Sequence, residues 1–293
     1  MKGKTLYALL LLVVVINLSP VALVQSQQQM QHKGGFPIEF YDVSRGQMSK
    51  SRPPEGGIAT GVVSDLPSSS KRWAVIVGIS DYYGTANDLQ YCDDDAKDFK
   101  NALVVKYGWS ERHIKLLIDG QATKANILLA ISWLRENEKS GDEVIFFYSG
   151  HGSFGTHDMD NDGEKKDVCI IPWECTLESF IWDGDLKAEF SNFESTRILF
   201  CFDSCYSGGM TDLAGAGRLI CMACKETQMS WGDSKWENGQ FTYYFVDQGM
   251  LAHKADANND GFVTCEEAFD YARAHCRIQA PTASDNFTND MLP

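Results

Sequence analysis

Short, continuous apolar runs recur between residues 72 and 224, and segments with helical spacing separate them. Runs of this kind are typical of parallel strands that are covered on both faces. The alternation predicts an α/β fold with a mostly parallel central sheet. The predicted strands are "RWAVIVGIS", "HIKLLID", "DEVIFFYSG", "CIIPW", "RILFCFDS" and "RLICMAC", and the predicted helices cover Asp93–Tyr107, Thr123–Glu138, Leu186–Phe193 and Gln240–Ala252.

The first 26 residues have the pattern of a secretory signal peptide. Lys2 and Lys4 precede an uninterrupted apolar run from Leu6 to Ile16. This run is too short to span a bilayer, which needs about 20 residues, but it suits the apolar region of a signal peptide. We expect cleavage after Ser26 and a secreted or extracytoplasmic protein without membrane association. A retained membrane anchor is the alternative.

Residues 27–70 are rich in Gln, Gly, Ser and Pro and show little periodicity. Such a composition is typical of a flexible propeptide or linker. The chain is therefore predicted to consist of a signal peptide at 1–26, a flexible segment at 27–70 and a folded domain at 71–293.

The formal net charge of −14 argues against nucleic acid as a partner, because nucleic-acid binding needs basic patches. It suits cationic partners such as calcium or basic peptides. The chain contains nine cysteines, an odd number that predicts one unpaired or reactive thiol in a secreted protein. The sequence does not specify how the other cysteines pair. It does not determine the oligomeric state either, and we favour a monomer.

Two polar motifs follow predicted strands. His151 lies between glycines in "YSGHGS", and Cys205 follows a strand in "FDSCYSGG". Parallel strands present their carboxyl ends at one edge of the sheet, where ligands bind in open α/β folds. A thiol and an imidazole at this edge are the minimum for thiol catalysis. The alternative for Cys205 is a small apolar residue that packs in the core.

The two motifs resemble those of the caspase-like cysteine peptidases, and most closely those of metacaspases and their prokaryotic relatives. The similarity covers roughly residues 72–250. It implies a three-layer caspase-like sandwich with Cys205 as nucleophile and His151 as general acid and base. The backbone amides of Gly152 and Cys205 would form the oxyanion hole. His157, in an acidic polar loop, is a weaker candidate for the catalytic histidine.

The resemblance also implies a specificity pocket that contains Asp203 and Asp95. Two carboxylates there favour Arg or Lys before the scissile bond and reject Asp. Asp95 has an alternative role as an acid at a helix N-terminus. Asp93 and Asp94 can serve that purpose too.

The segment "DANNDGFVTCEE" has the spacing of an EF-hand calcium loop. Its predicted ligands are Asp256, Asn258, Asp260, the carbonyl of Phe262, Thr264 and Glu267, with Gly261 at the turn. An acidic turn without metal is the alternative.

Resemblance implies a second, dispersed calcium site that uses Asp167, Asp183 and Asp212. The chain departs from the family at Gly184, where another acid is common. Either Asp185 replaces the missing acid, or the site binds calcium more weakly. The nearby "DMDNDG" segment, residues 158–163, also suits an ion, but a solvated acidic loop explains it equally well.

These features predict a secreted, calcium-dependent cysteine endopeptidase that cleaves proteins or peptides after Arg or Lys. The alternative is a catalytically inactive caspase-like protein that binds calcium or peptides. Residues 27–70 carry several basic residues, so we expect self-cleavage there around Lys50 or Arg52.

Overall fold

The computed structural model describes residues 56–160, 163 and 165–293. The predicted signal peptide and the first part of the flexible segment, including Lys50 and Arg52, lie outside these residues. Among the described residues, no helix has the length and apolar content needed to cross a membrane.

A six-stranded sheet forms the centre of the domain. Five of its strands correspond to predicted apolar runs, whereas its edge strand β11 was not predicted and the run "CIIPW" lies in a smaller sheet. The strand order of the central sheet is β11-β8-β7-β3-β1-β2, and all neighbouring pairs are parallel except β8 with β11. The six strands are β1 (Arg72–Gly78), β2 (Ile114–Ile118), β3 (Glu143–Ser149), β7 (Ile198–Asp203), β8 (Arg218–Met222) and β11 (Thr282–Asp285).

Two smaller sheets lie beyond the carboxyl ends of these strands. One is antiparallel and contains β4 (Gly152–Phe154), β5 (Val168–Ile170) and β6 (Ile181–Trp182). The other is a pair of short strands, β9 (Gly232–Asp233) and β10 (Asn238–Gly239). Both follow the motifs that the sequence marks as functional, so they contribute to the walls of the candidate site.

Helices cover both faces of the central sheet. They are α1 (Cys92–Val105), α2 (Lys124–Asn137), α3 (Asp183–Glu189), α4 (Gln240–Thr242, continuing as a π-helix over Tyr243–Leu251) and α5 (Cys265–His275). On one face, Phe99 of α1 stacks on Phe147 of β3 with ring centroids 4.7 Å apart. On the other, Phe190 at the end of α3 contacts Phe146 and Phe200 edge-on. Every residue of β3 and β7 is buried, which explains their continuous apolar sequences.

Residues 58–64, here called the strap, are held against the folded domain by hydrogen bonds. The domain therefore begins before residue 71, its predicted start. The backbone amides of Ile58 and Ala59 each donate to the Asp270 carboxylate at 3.0 Å. The amides of Thr60 and Gly61 donate to Asp290, each at 2.8 Å. This part of the segment assigned to a flexible linker therefore belongs to the folded domain.

All nine cysteines lie in the described residues and are free thiols. The odd number predicts one unpaired or reactive thiol, whereas all nine are unpaired in this structure. Six of the nine, Cys169, Cys201, Cys221, Cys224, Cys265 and Cys276, are buried. They pack as small apolar residues, as cysteine often does.

Candidate active site

The register of two neighbouring strands places Cys205 and His151 at one edge of the sheet. In the parallel pair of β3 and β7, Ser149 is opposite Asp203, so both strands end at the same level. His151 and Cys205 each follow by two residues. Beyond the strands, a Cβ atom at Gly152 would overlap the carbonyl oxygen of Cys205. The histidine and cysteine segments are thus in direct backbone contact.

The His151 ring is held by a carbonyl group that the sequence did not indicate. Its Nε2 lies 2.9 Å from the backbone oxygen of Asn87. A carbonyl oxygen only accepts, so Nε2 carries the hydrogen and Nδ1 is the nitrogen able to take a proton. The Tyr82 hydroxyl donates to the His151 backbone amide at 2.8 Å. Burial lowers the pKa of His151 to about 4, against the opposing effect of the Asn87 hydrogen bond.

Cys205 is partly exposed, and its environment keeps the thiol protonated. Burial raises the pKa of Cys205 to about 11, and the negative charge of Asp203 adds to the rise. Its Sγ is 3.8 Å from the carbonyl oxygen of Ser230, which the thiol donates to. At neutral pH the resting pair is therefore a neutral thiol with a neutral imidazole, and proton transfer must accompany attack.

The predicted oxyanion residues are adjacent in the structure. Gly152 begins β4, and a side chain there would also approach Ser204 Oγ to 3.1 Å. Only glycine lets the two backbone segments come this close. The competing histidine, His157, is exposed beyond β4, and its Nδ1 is 2.9 Å from the Thr156 hydroxyl.

Asp95 and Asp203, the two predicted specificity residues, converge beside Cys205. Both are buried, with exposures of 1% and 4%. A Cβ atom at Gly239 would overlap Asp203 and stand 3.0 Å from Asp95 Oδ2. Burial raises the pKa of Asp95 well above its usual range, and the Asp203 charge adds to this rise. Burial also raises the pKa of Asp203.

Hydrogen bonds fix the orientation of Asp95. The Ser149 hydroxyl donates to its Oδ2 at 2.6 Å, and the Gly239 amide donates to its Oδ1 at 2.8 Å. Asp93 and Asp94 instead pair with Lys97 on the surface of α1. Of the three acids, Asp95 is the one that is buried beside Asp203.

Asp203 is held by residues that the sequence did not single out. The amide and hydroxyl of Thr242 donate to Asp203 Oδ2 at 3.0 and 2.8 Å. The Ser230 hydroxyl donates to Oδ1. Ser230 thus contacts both Asp203 and the Cys205 thiol, and connects two residues of the predicted site.

The predicted ligands of the dispersed calcium site come together, along with two further acids. The dispersed cluster contains Asp158, Asp160, Asp167, Asp183 and Asp212. Carboxylate oxygens of the first three lie within 4.8 Å of one another. Burial raises the pKa of Asp183 to about 8, and the charges of Asp212, Asp160 and Asp167 contribute in that order. This donor set consists of oxygen atoms only, the type that calcium prefers.

The acidic loop, residues 256–267, has the internal hydrogen bonds of a closed turn. Asp256 accepts from the amides of Asp260 and Gly261, each at 3.1 Å. Gly261 has φ +90°, the conformation that the sixth position requires. Glu267 reaches back to accept from the Ala257 amide at 3.2 Å. Among the described residues, the group of three acids whose oxygens lie within 4.8 Å of one another is Asp158, Asp160 and Asp167, and the acids of this loop do not form such a group.

The helix before the acidic loop ends at Leu251, five residues before the loop begins. The loop is instead attached to the domain through Val263, which is buried in the core and whose carbonyl accepts from the Tyr107 hydroxyl at 3.0 Å. This arrangement suits a fixed structural element of the domain better than a free-standing sensor.

Comparison with known proteins gives one family. Residues 72–214 match the family model of the metacaspase peptidase C14 domain. That range includes His151, Cys205, Asp95, Asp203 and the dispersed cluster, and it excludes the acidic loop. The crystal structure of protein GSU0716 from Geobacter sulfurreducens has a TM-score of 0.55 at 20% identity, covering 73% of this chain and 92% of that one. At this identity the likeness shows the fold alone.

Curated relatives agree with the family model. Metacaspase-1 of Kluyveromyces lactis is 35% identical over 50% of this chain and 35% of its own length. Metacaspase-2 of Trypanosoma brucei brucei is 36% identical over 52% of this chain and 46% of its own length. Metacaspase-1 of Plasmodium falciparum is 35% identical over 55% of this chain and 27% of its own length. The chain thus spans less than half the length of these relatives.

Proposed function

Because residues 72–214 match the model of the metacaspase peptidase C14 domain and resemble curated metacaspases, we propose that the protein is a calcium-dependent cysteine endopeptidase of this family that cleaves after Arg or Lys. The observation that carries the proposal is the register of β3 with β7, which sets the histidine and cysteine segments in backbone contact. Their order and environment fit a Cys–His dyad.

The chemistry follows from the neutral resting pair. As Cys205 Sγ attacks the carbonyl carbon of the scissile bond, its proton passes to Nδ1 of His151. The Asn87 carbonyl orients the ring through Nε2. The C–N bond then breaks, His151 gives the proton to the leaving amine, and a thioester remains on Cys205. Water hydrolyses the thioester with His151 as base, which restores the thiol.

The preference for a basic residue rests on Asp95 and Asp203. Both carboxylates are buried next to each other, and their raised pKa values reflect the cost of placing two negative charges there. A guanidinium or ammonium group between them offsets that cost, whereas a substrate carboxylate increases it. Gly239 leaves space at this point because it has no side chain.

Calcium dependence is supported by two groups of oxygen ligands. In the acidic loop, Asp256, Asn258, Asp260, the Phe262 carbonyl, Thr264 and Glu267 would hold the ion. In the dispersed cluster, Asp167, Asp183 and Asp212 would do so. A bound ion neutralises carboxylates that otherwise repel each other, and this favours the folded arrangement of the segments that carry them.

Secretion and self-cleavage complete the proposal. The signal-peptide pattern at 1–26 supports export. Lys50 and Arg52 remain the proposed cleavage positions. Cutting after Lys71 is disfavoured, because its amide donates to Asp142 Oδ1 at 2.7 Å and β1 begins at the next residue.

The test is turnover of a fluorogenic peptide that ends in Arg, with calcium and with chelator, and with an Asp-ended peptide for comparison. We expect calcium-dependent turnover of the Arg peptide that Cys205→Ala removes. Absence of turnover in every condition would favour the inactive binding protein. N-terminal sequencing before and after calcium addition, with Cys205→Ala as control, tests self-cleavage.

A further inference from the structure

We propose that Gln279 is a positioning residue for Asp203: it orients the Ser230 hydroxyl so that the hydroxyl hydrogen is donated to the Asp203 carboxylate. The inference rests on the proposed function in so far as Asp203 binds the basic side chain of a substrate. Gln279 lies in the segment between α5 and β11. This segment is outside residues 72–214, which match the family model.

The side-chain amide of Gln279 has a defined orientation. Gln279 is buried, with an exposure of 1%. Its Oε1 accepts from the Trp231 backbone amide at 2.9 Å, and its Nε2 donates to the Ala223 carbonyl oxygen at 2.9 Å. A backbone N–H only donates and a carbonyl oxygen only accepts, so the oxygen and nitrogen of this amide cannot exchange places.

This orientation sets the direction of the hydrogen bonds at Ser230. Gln279 Nε2 lies 3.0 Å from Ser230 Oγ, and an amide nitrogen only donates. Ser230 Oγ therefore accepts from Gln279. The hydroxyl has a single hydrogen, and its other partner is Asp203 Oδ1. Gln279 thus favours the hydroxyl rotamer that donates to an ionised Asp203.

The surroundings of Asp203 make this donated bond important. Burial raises the pKa of Asp203, and hydrogen bonds from Ser230 and Thr242 oppose the rise. The other titratable groups near Asp203 are the carboxyl of Asp95 on α1 and the thiols of Cys92, Cys201, Cys205, Cys224 and Cys276. Burial raises the pKa of each thiol, so the thiols are uncharged at neutral pH. A weaker bond from Ser230 should therefore move the titration of the two carboxyls to higher pH.

The loop that carries Ser230 is also held at other points. The Ala280 amide donates to Gln228 Oε1 at 3.2 Å. The Thr282 hydroxyl donates to the Cys224 carbonyl oxygen at 3.3 Å. Both bonds remain when Gln279 is replaced. Its loss should therefore change the direction of the Ser230 hydroxyl more than the path of the backbone.

The first test needs no enzyme activity. The carboxyl of Asp203 is titrated by NMR in Cys205→Ala protein that contains isotope-labelled aspartate, with Asp203→Asn to assign the signal. We expect Gln279→Met to raise the apparent pKa of Asp203 by about half a unit or more, and Ser230→Ala to raise it by about one unit, because a hydrogen bond to a charged group is weakened or lost. The matched control, Gln228→Met, changes a glutamine of the same loop and should leave the titration unchanged.

A double variant shows whether Gln279 acts through Ser230. Gln279→Met combined with Ser230→Ala should titrate like Ser230→Ala alone, because the hydroxyl is the only link between the two groups in the proposal. Gln279→Glu is a second variant if Gln279→Met does not fold. It keeps the acceptor for the Trp231 amide, loses both donors when ionised, and should shift the titration in the same direction. Additive shifts in the double variant, or no shift in either Gln279 variant, would overturn the inference.

The second test measures peptide turnover with Cys205 intact. At neutral pH, Gln279→Met should raise KM for an Arg-ended peptide about threefold or more and change kcat less than about twofold, because Asp203 is proposed to contact the substrate side chain and not the scissile bond. A fall in kcat without a change in KM would contradict the positioning role. Absence of turnover by the unaltered protein would instead contradict the proposed peptidase function, and the NMR titration would still decide the role of Gln279.

Discussion

The sheet edge that carries the candidate active site and the acidic loop at 256–267 place their polar groups in opposite ways. The edge draws His151, Cys205, Asp95 and Asp203 from separate elements, and only long-range strand pairing brings them together. The acidic loop takes all its oxygens from twelve consecutive residues. The edge therefore depends on the whole fold, whereas the loop depends mainly on local sequence.

The two regions also differ in their electrostatics. Asp95 and Asp203 are buried, and their charges are held close together by fixed donors. Asn258 and Asp260 of the loop are exposed to water. Substitutions at the buried edge should consequently have much larger effects than substitutions in the loop, because water screens exposed charges.

The largest effect is expected at the dyad. Cys205→Ala and His151→Ala should each lower kcat/KM for an Arg-ended peptide by about a thousandfold or more, because each removes a group required for covalent attack. Circular dichroism should show an unchanged fold. Cys175→Ala, which alters another partly exposed cysteine, is the matched control and should retain activity. Near-normal turnover by Cys205→Ala would show that the nucleophile is misassigned.

The next effect concerns the specificity pocket. Asp203→Asn should lower kcat/KM for Arg substrates about 30-fold or more, since a desolvated charge pair contributes about 2–5 kcal/mol. Asp94→Asn changes an exposed acid of α1 and should have little effect. The measurement is a comparison of Arg-ended, Lys-ended and Asp-ended peptides. Equal turnover of all three by the unaltered enzyme would contradict the two-carboxylate pocket.

A smaller effect is expected on thiol reactivity. Because the pKa of Cys205 is raised to about 11, its alkylation by iodoacetamide should rise about tenfold per pH unit from pH 6 to 9 without a plateau. Because the pKa of His151 is lowered to about 4, its protonation should not affect the alkylation rate of Cys205 between pH 6 and 9. Peptide mapping by mass spectrometry distinguishes Cys205 from the other thiols. A plateau between pH 5 and 8 would instead indicate a thiolate–imidazolium pair.

The smallest effect is expected at the acidic loop. With an affinity of about 0.1–1 mM, typical of extracellular modules, 10 mM calcium would stabilise the fold by about 1.4–2.7 kcal/mol. Asp260→Asn should remove most of the resulting rise in melting temperature. Asp233→Asn, an exposed acid outside the loop, should leave the rise unchanged. An equal calcium response in all three proteins would exclude the loop as the source of that stabilisation.

The sequence predicted those parts of the molecule that depend on local patterns. The five predicted strands of the central sheet lie within two residues of their observed bounds, because their apolar runs match burial on both faces, but the edge strand β11 was not predicted. The order of the strands and the partners of the site residues are long-range properties. For this reason the Asn87 carbonyl, Gly239, Ser230 and Thr242 carried no recognisable signal.

The misjudged linker assignment of residues 58–64 has a physical cause. The strap lacks periodicity, and its order comes from backbone amides that bind carboxylates of Asp270 and Asp290. Acids far along the chain therefore determine the structure of this segment, and no local pattern reveals it.

The strap has a consequence for biosynthesis. Thr60 bonds Asp290, which is 230 residues further along the chain. At 5–20 residues per second, on the order of 10–50 s separate the synthesis of the two residues. Throughout that interval the strap amides remain hydrated on the nascent chain, and the β8–β11 edge of the sheet is incomplete because β11 also comes late. The contacts between the strap and the rest of the folded domain therefore form only after Asp290 has been translated, and a nascent chain that stops before Asp290 lacks them.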